Sequence, residues 1–396
     1  MMASGGPGTV RHRAFRDEPR KGQAMARTYH VISSDSHAVE PPDLWQKWLP
    51  KKYHDRAPHL VSDGQGGDAW QMEPGRAPDP IGLTVITGQG YEKINWYGFS
   101  FKNISPACYD GKERLKALDF DGVDGEVIFP PQRTMGYFIR HKDSEYQMAG
   151  VQAFNLWVKE DFCAADPSRL KAVYQIPNVG VETGVAELRR AKEQGYVAVG
   201  LTAWPSGQPQ PSPEDDPFWT AAEEAKMPVA IHITLAGYER PGGRTPAYNR
   251  MTGLATGFAA MPMIMVDLIF SGVFDRHPGL QIISVEAGCG WVPYFMEQMD
   301  DRYWRDRTWS KLRLNRLPSA YVPDHFYFCV VRDFFGIRTR HETGIDRILW
   351  ASDFPHHIND FPYSRRVINE MFGGISAEER QKMVCTNSGK LFGFIP

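Results

Sequence analysis

Two stretches far apart in the chain end on the same kind of chemistry. Ile348-Leu349-Trp350-Ala351-Ser352 runs into Asp353, then Phe354, Pro355 and the histidines His356 and His357. Near the other end, Tyr29-His30-Val31-Ile32-Ser33-Ser34 runs into Asp35 and His37. Each reads as a buried strand that stops abruptly on ionisable groups. Burying such groups is costly unless they are paired or bind a metal. A divalent metal ion, which carboxylate and imidazole both ligate, is the simplest partner that would call for them at both strand ends.

The elements that must position these residues repeat along the chain. β-rich runs are read at 29–35, 125–130, 171–176, 197–202, 228–233, 280–286, 326–331 and 347–352. Helix-like segments lie between most of them, at 146–164, 184–193, 216–226, 261–274, 292–304 and 364–372. Alternation of this kind implies parallel strands, and eight units imply an α/β fold closed as a (β/α)8 TIM barrel. Such barrels carry their chemistry at the C-terminal strand ends. Taken in order, those ends offer Asp35 and His37 on strand 1, His232 on strand 5, Glu286 on strand 6, Arg332 and Asp333 on strand 7, and Asp353 on strand 8. The residue types that ligate metals therefore sit mainly on strands 1, 5, 6 and 8.

Composition narrows the function classes. A chain of 396 residues with 42% hydrophobic residues can bury a large core, and a net charge of -2 offers no basic surface for nucleic acid. Eleven tryptophans suit a closed pocket as well as a core. The cysteines at 108, 163, 289, 329 and 385 are odd in number and lack Cys-x-x-Cys spacing, which points to a reduced, cytoplasmic protein with core cysteines. No apolar run approaches the roughly 20 residues of a membrane span. Residues 1–27 read as a disordered lead-in, with Met25 a candidate alternative start, and 28–396 as a single domain. A long aromatic insertion follows strand 1 (about 38–110) and a second follows strand 5 (about 235–260), both expected to act as lids or subunit contacts.

With these motifs in place the chain resembles a known family. Asp35-Ser36-His37-Ala38-Val39-Glu40-Pro41-Pro42-Asp43-Leu44-Trp45 looks like the opening signature of the amidohydrolase-related proteins, amidohydrolase family 2. Phe274-Asp275-Arg276-His277-Pro278-Gly279-Leu280 continuing to Glu286-Ala287-Gly288, and Ile348 to His357, look like its later signatures. The likeness covers roughly 29–393 and includes the aminocarboxymuconate-semialdehyde decarboxylase-like branch. It implies a divalent metal held by Asp35, His37, His232, Glu286 and Asp353. It also implies homo-oligomers, since relatives are commonly dimers or larger. Asp35 stands where the family often has histidine, Glu286 where strand 6 usually offers histidine, and Cys289 where the decarboxylases often have an acid. Strand 4 has no lysine to bridge two ions, so one metal is expected.

The resemblance implies hydrolysis or non-oxidative decarboxylation of a small carboxylate or amide-type molecule. Zn²⁺ is the first expectation for the ion, with Mn²⁺ and Fe²⁺ as alternatives, because three carboxylates and two imidazoles form a harder set than zinc often takes. Asp353 is placed like the acid that in relatives both touches the metal and moves a proton. One of His356 and His357 is expected to act as acid/base or substrate contact. Arg332 is read either as a clamp on a substrate carboxylate or as a structural ion pair, and His277 as structural. Two further readings remain open: an Fe- or Mn-dependent oxygenase of the same fold, working as a hetero-oligomer with a paralogous chain, and a non-catalytic partner subunit.

Overall fold

The computed structural model describes residues 27–131, 133–233, 235–238 and 247–395. The expected lead-in over 1–27 lies outside the described residues except for Arg27, as does part of the second expected insertion. Eight strands form one parallel sheet in sequential order: β1 (Ile32–His37), β2 (Gly125–Phe129), β3 (Leu170–Gln175), β4 (Ala198–Leu201), β5 (Val229–His232), β6 (Ile282–Val285), β7 (Phe326–Val330) and β8 (Ile348–Trp350). Helices pack outside it, among them Ser144–Trp157, Val181–Glu193 and Val292–Ser310. The sheet curls into a TIM barrel, with β1 and β8 meeting edge to edge. The expected helix over 261–274 is split into Ala260–Phe270 and Val273–Arg276, because Gly272 turns left-handed at φ 70 between them. Among the described residues no helix is long and apolar enough to cross a membrane.

The seam between β1 and β8 is closed by polar side chains. Ser34 Oγ donates to the Trp350 carbonyl at 2.8 Å, and the Ser352 amide donates to Ser33 Oγ at 2.9 Å. Ser33 Oγ lies 2.9 Å from Ser352 Oγ and also reaches the Asp35 carbonyl at 2.8 Å. These bonds let a run of serines stay fully buried. They also explain why β1 continues to His37 rather than ending near Asp35. The β1–β2 register shifts between Ser33 and Ser36, a bulge of the kind that re-aims side chains beside sites. Past the seam, the Asp353 amide donates to the Asp35 carbonyl at 3.0 Å and the His37 amide to the Phe354 carbonyl at 2.6 Å. The two chemistry-bearing strand ends are thus tied to each other by backbone.

Residues 38–110 form a short helix (Leu44–Trp48), a three-stranded antiparallel sheet (59–62, 68–71 and 79–80) and loops. Phe99 and Phe101 pack against the core, while Tyr91 is exposed. The segment meets the loop beyond β8: the His357 amide donates to the Leu83 carbonyl at 3.0 Å, and Thr87 Oγ1 to Asn359 Oδ1 at 3.1 Å. It therefore walls one side of the barrel mouth. All five cysteines are buried and unbonded.

Beneath the mouth, Arg114 fastens β1 from below. Its guanidinium donates to the His37 carbonyl at 2.6 Å, to the Ala107 carbonyl at 2.7 Å and to Glu126 Oε2 at 2.8 Å. It also stacks 4.1 Å above the Phe354 ring. Glu126 in turn accepts from Ser36 Oγ at 3.0 Å. Both charges are fully buried, so removing one partner leaves the other uncompensated. Arg114→Met is expected to destabilise the protein by about 3–5 kcal/mol. Arg114→Met combined with Glu126→Gln should cost less than the single change, as read by urea unfolding.

Candidate metal centre

Backbone geometry delivers the candidate residues to one point. Ile233, Glu286 and Asp353, which follow β5, β6 and β8, adopt φ of 63, 57 and 54. Left-handed backbone costs a non-glycine residue about 1–2 kcal/mol, and such strain gathers at functional sites. Here it turns the chain sharply at three neighbouring strand ends. The turn after Glu286 is tied down by Asp333, whose carboxylate accepts from the amides of Cys289 (2.6 Å), Gly290 (2.8 Å) and Gly336 (2.7 Å).

The side chains then converge. His37 Nε2 and His232 Nε2 face each other at 3.2 Å. Asp35 Oδ1 lies 3.6 Å from each of them, and Asp353 Oδ1 lies 3.3 Å from His37 Nε2. Glu286 Oε2 stands 3.8 Å from His232 Nδ1. Asp35, His37 and His232 offer ligand atoms within 4.8 Å of one another, and so do Asp35, Glu286 and Asp353. Asp35, His37 and Asp353 are completely buried. Yet among the described residues both carboxylate oxygens of Asp35 and of Asp353, and Glu286 Oε2, receive no hydrogen bond of good geometry. Buried carboxylate oxygens so poorly supplied with donors, gathered beside imidazole nitrogens, are a set that a cation satisfies well. Two nitrogens bound to one ion at about 2.0–2.1 Å would stand about 3.3 Å apart, close to the His37–His232 spacing. His37 Nδ1 faces the Pro130 carbonyl at 3.2 Å, which leaves the lone pair on Nε2 and aims it into the cluster.

Electrostatics agree with an excess of negative charge. Burial, then Asp353 and Asp35, push the Glu286 carboxyl well above its usual range. Burial also opposes charge on Asp353, but the facing His356 and His37 imidazoles outweigh it and hold that carboxyl below its usual range. For His37, burial is outweighed by Asp353 and Asp35, and its affinity for a proton rises.

The two histidines beyond β8 part company. His356 stacks on His37 with ring centroids 4.0 Å apart and places Nδ1 3.1 Å from Asp353 Oδ1. Burial pushes its pKa down to about 4. His357 is half-buried and lies outside these groupings of potential ligands. Arg332 is largely exposed and engaged with Asp360 Oδ1 at 3.2 Å and Tyr91 at 3.5 Å, so it forms the ion pair of the two readings open to it. It shares a hollow with Glu286 and Trp291. His277 pairs with Asp216 (3.3 Å) and Glu223 (3.7 Å), away from the cluster. A cavity of about 280 Å³ opens beside His232, walled by Phe129, Pro130, Met135, Ile139 and Leu201. Glu126, Arg114 and the supporting role of Asp333 are not found by sequence reasoning. The signal available was a glutamate inside the otherwise apolar run of β2.

A parallel eight-stranded barrel with carboxylates and imidazoles gathered at its C-terminal mouth defines a class of enzymes. The family model for amidohydrolases matches residues 108–394, and the chain belongs to that family. It is 28% identical over 307 residues to a gamma-resorcylate decarboxylase of Rhizobium radiobacter, covering 70% of this chain and 86% of the relative. An amidohydrolase from Mycobacterium avium subsp. paratuberculosis superposes with a TM-score of 0.71 at 22% identity, over 93% of this chain and all of that one. A dihydroxybenzoic acid decarboxylase from Polaromonas, solved with manganese and 2-nitroresorcinol, superposes with a TM-score of 0.59 at 18% identity, over 92% of this chain and 97% of that one.

The charge excess has a measurable consequence. Glu286 binds its proton more tightly folded than unfolded. Its contribution to stability is intact below the unfolded value of about 4.3 and is lost as pH rises through the raised folded value. In protein stripped of divalent ions, stability should therefore be lower at neutral pH than at the unfolded value of about 4.3. Glu286→Gln should remove that part of the loss which comes from this carboxyl. Urea unfolding at both pH values checks this, and an unchanged pH dependence would contradict it.

Proposed function

We propose that this protein is a metal-dependent, non-oxidative decarboxylase of small aromatic acids. The observation that carries the reading is the position of His232, which belongs both to the cluster of donors and to the wall of the apolar cavity. A flat ring lying in that cavity would present its carboxylate to the cluster. The relatives named above support a carboxylate on a hydroxylated ring as the reacting group.

Asp35, His37, His232 and Asp353 are the residues that would hold the ion, with Glu286 beside them and outside its coordination. Manganese fits this carboxylate-rich set better than zinc does, and the Polaromonas relative was solved with manganese. Bound there, a divalent ion would supply Lewis-acid stabilisation of the negative charge on the substrate.

The protein's own groups divide the remaining work. Replacing CO₂ on the ring requires a proton at the carbon that carried it. Glu286 is the carboxyl whose burial favours the protonated form, whereas Asp353 is held ionised between two imidazoles. Carboxyls pushed in opposite directions mark the acid and the permanent charge. Glu286 therefore delivers the proton to the ring carbon. The carbon–carbon bond to the carboxylate then breaks, its electron pair restores the aromatic ring, and CO₂ leaves. This gives Glu286 the proton transfer that the family likeness implies for Asp353. Asp353 remains the anion that orients His37 and His356. The apolar walls Phe129, Met135 and Ile139 exclude water from the ring face.

The test is CO₂ release from a panel of hydroxybenzoates that includes gamma-resorcylate, with manganese-loaded protein. Release with at least one acid is expected. Glu286→Gln should lower kcat by about 10²–10⁴-fold while the acid still binds. No release from any acid, or a Glu286→Gln variant with undiminished kcat, would contradict the reading.

A further inference from the structure

Arginines near the barrel mouth are mostly spoken for. Arg56 pairs with Asp143, Arg133 with Asp79, Arg114 with Glu126 and Arg332 with Asp360. Arg140 differs. It follows the helix Thr134–Ile139, lines the cavity beside His232, and its side chain forms no hydrogen bond, ion pair or ring contact among the described residues. The nearby acid, Asp143, is already committed to Arg56 (3.0 Å) and to the Tyr146 amide (3.1 Å).

The guanidinium is also placed, not merely loose. It folds back over Gly136, so that a Cβ built at that position would stand 2.9 Å from Nη2. Gly136 and Arg140 both line the cavity, and the missing side chain at 136 gives the guanidinium its resting place on the wall. Arg140 is exposed whereas His232 is largely buried, so the cation marks the solvent-side rim and the donor cluster the inner end. The walls between them are apolar. At about 280 Å³ the space is near the lower limit for a small-molecule site, enough for a single substituted ring.

We propose that Arg140 recognises a second anionic group on the substrate, so that the preferred substrates are aromatic dianions carrying one anionic group at the inner end of the cavity and another at the rim. The assignment rests on the reading that the cluster acts on an aromatic carboxylate. A guanidinium offers a carboxylate two parallel hydrogen bonds, stronger and more directional than a lysine ammonium can provide.

The test compares benzoate with benzene-1,3-dicarboxylate by calorimetry on manganese-loaded protein, for the wild type, Arg140→Met and Arg140→Lys. The wild type should bind the dicarboxylate about 10- to 100-fold more tightly than benzoate. Arg140→Met should abolish that preference and leave benzoate binding unchanged, and Arg140→Lys should retain part of it. With a dicarboxylate that is turned over, Arg140→Met should raise KM by a similar factor at near-constant kcat. A wild type without the preference, or an Arg140→Met variant that keeps it, overturns the proposal. If no acid releases CO₂ while the Arg140-dependent preference is present, the decarboxylase reading fails and the assignment of Arg140 stands.

Discussion

Asp35, Glu286 and Asp353 bring three carboxylates together in the interior with oxygens that receive no hydrogen bond of good geometry among the described residues. This constraint explains much of the architecture around them. Anions so close repel one another, and a folded chain tolerates them only where a cation is expected or where one carboxyl keeps its proton. The imidazoles of His37, His232 and His356 surround the group without neutralising it. His37 and His232 bring their Nε2 atoms face to face at 3.2 Å, a spacing that suits two ligands of one ion as well as a hydrogen bond between the rings.

The barrel supplies the rigidity that such a cluster needs. Strand β1 is buried along its whole length although five of its six residues are polar or charged, because serine hydroxyls seal it to β8 and the Arg114–Glu126 pair fastens it from below. Left-handed turns at Ile233, Glu286 and Asp353 reorient the chain where it leaves three strands. Asp333 stitches the turn after β6 to the loop after β7. Each device stands one step from a donor atom, so strain and buried polar groups are concentrated where the chemistry is proposed and are scarce in the apolar layers of the barrel.

Much of this was legible in the sequence. Seven of the eight strands are legible as mainly apolar runs, since a strand buried on both faces leaves a continuous hydrophobic signature, and the serine-rich β1 is legible from its Asp and His ending. Asp35, His37, His232, Glu286 and Asp353 stood out because each ends such a run. What stayed hidden depends on partners distant in the chain. Sequence leaves Arg332 open between a substrate clamp and a structural ion pair, and the neighbouring Asp360 decides for the ion pair. His356 and His357 are adjacent in sequence, but the turn after Asp353 sends one onto His37 and leaves the other outside the cluster. Arg140 carries no signal in the sequence, because its significance lies in lacking a partner among the described residues, which only three-dimensional neighbours reveal. The strand-1 boundary was misjudged for a related reason: propensity does not anticipate serines that satisfy each other across a seam.

The central claim is that the convergent cluster is a single divalent-metal centre. Equilibrium dialysis against Mn²⁺, with the bound metal counted by elemental analysis, tests it most directly. The account expects one ion per chain in the wild type and none retained by an Asp35→Asn/Asp353→Asn variant that still folds. A wild type that retains no ion, or a double variant that holds manganese as well as the wild type does, would contradict it.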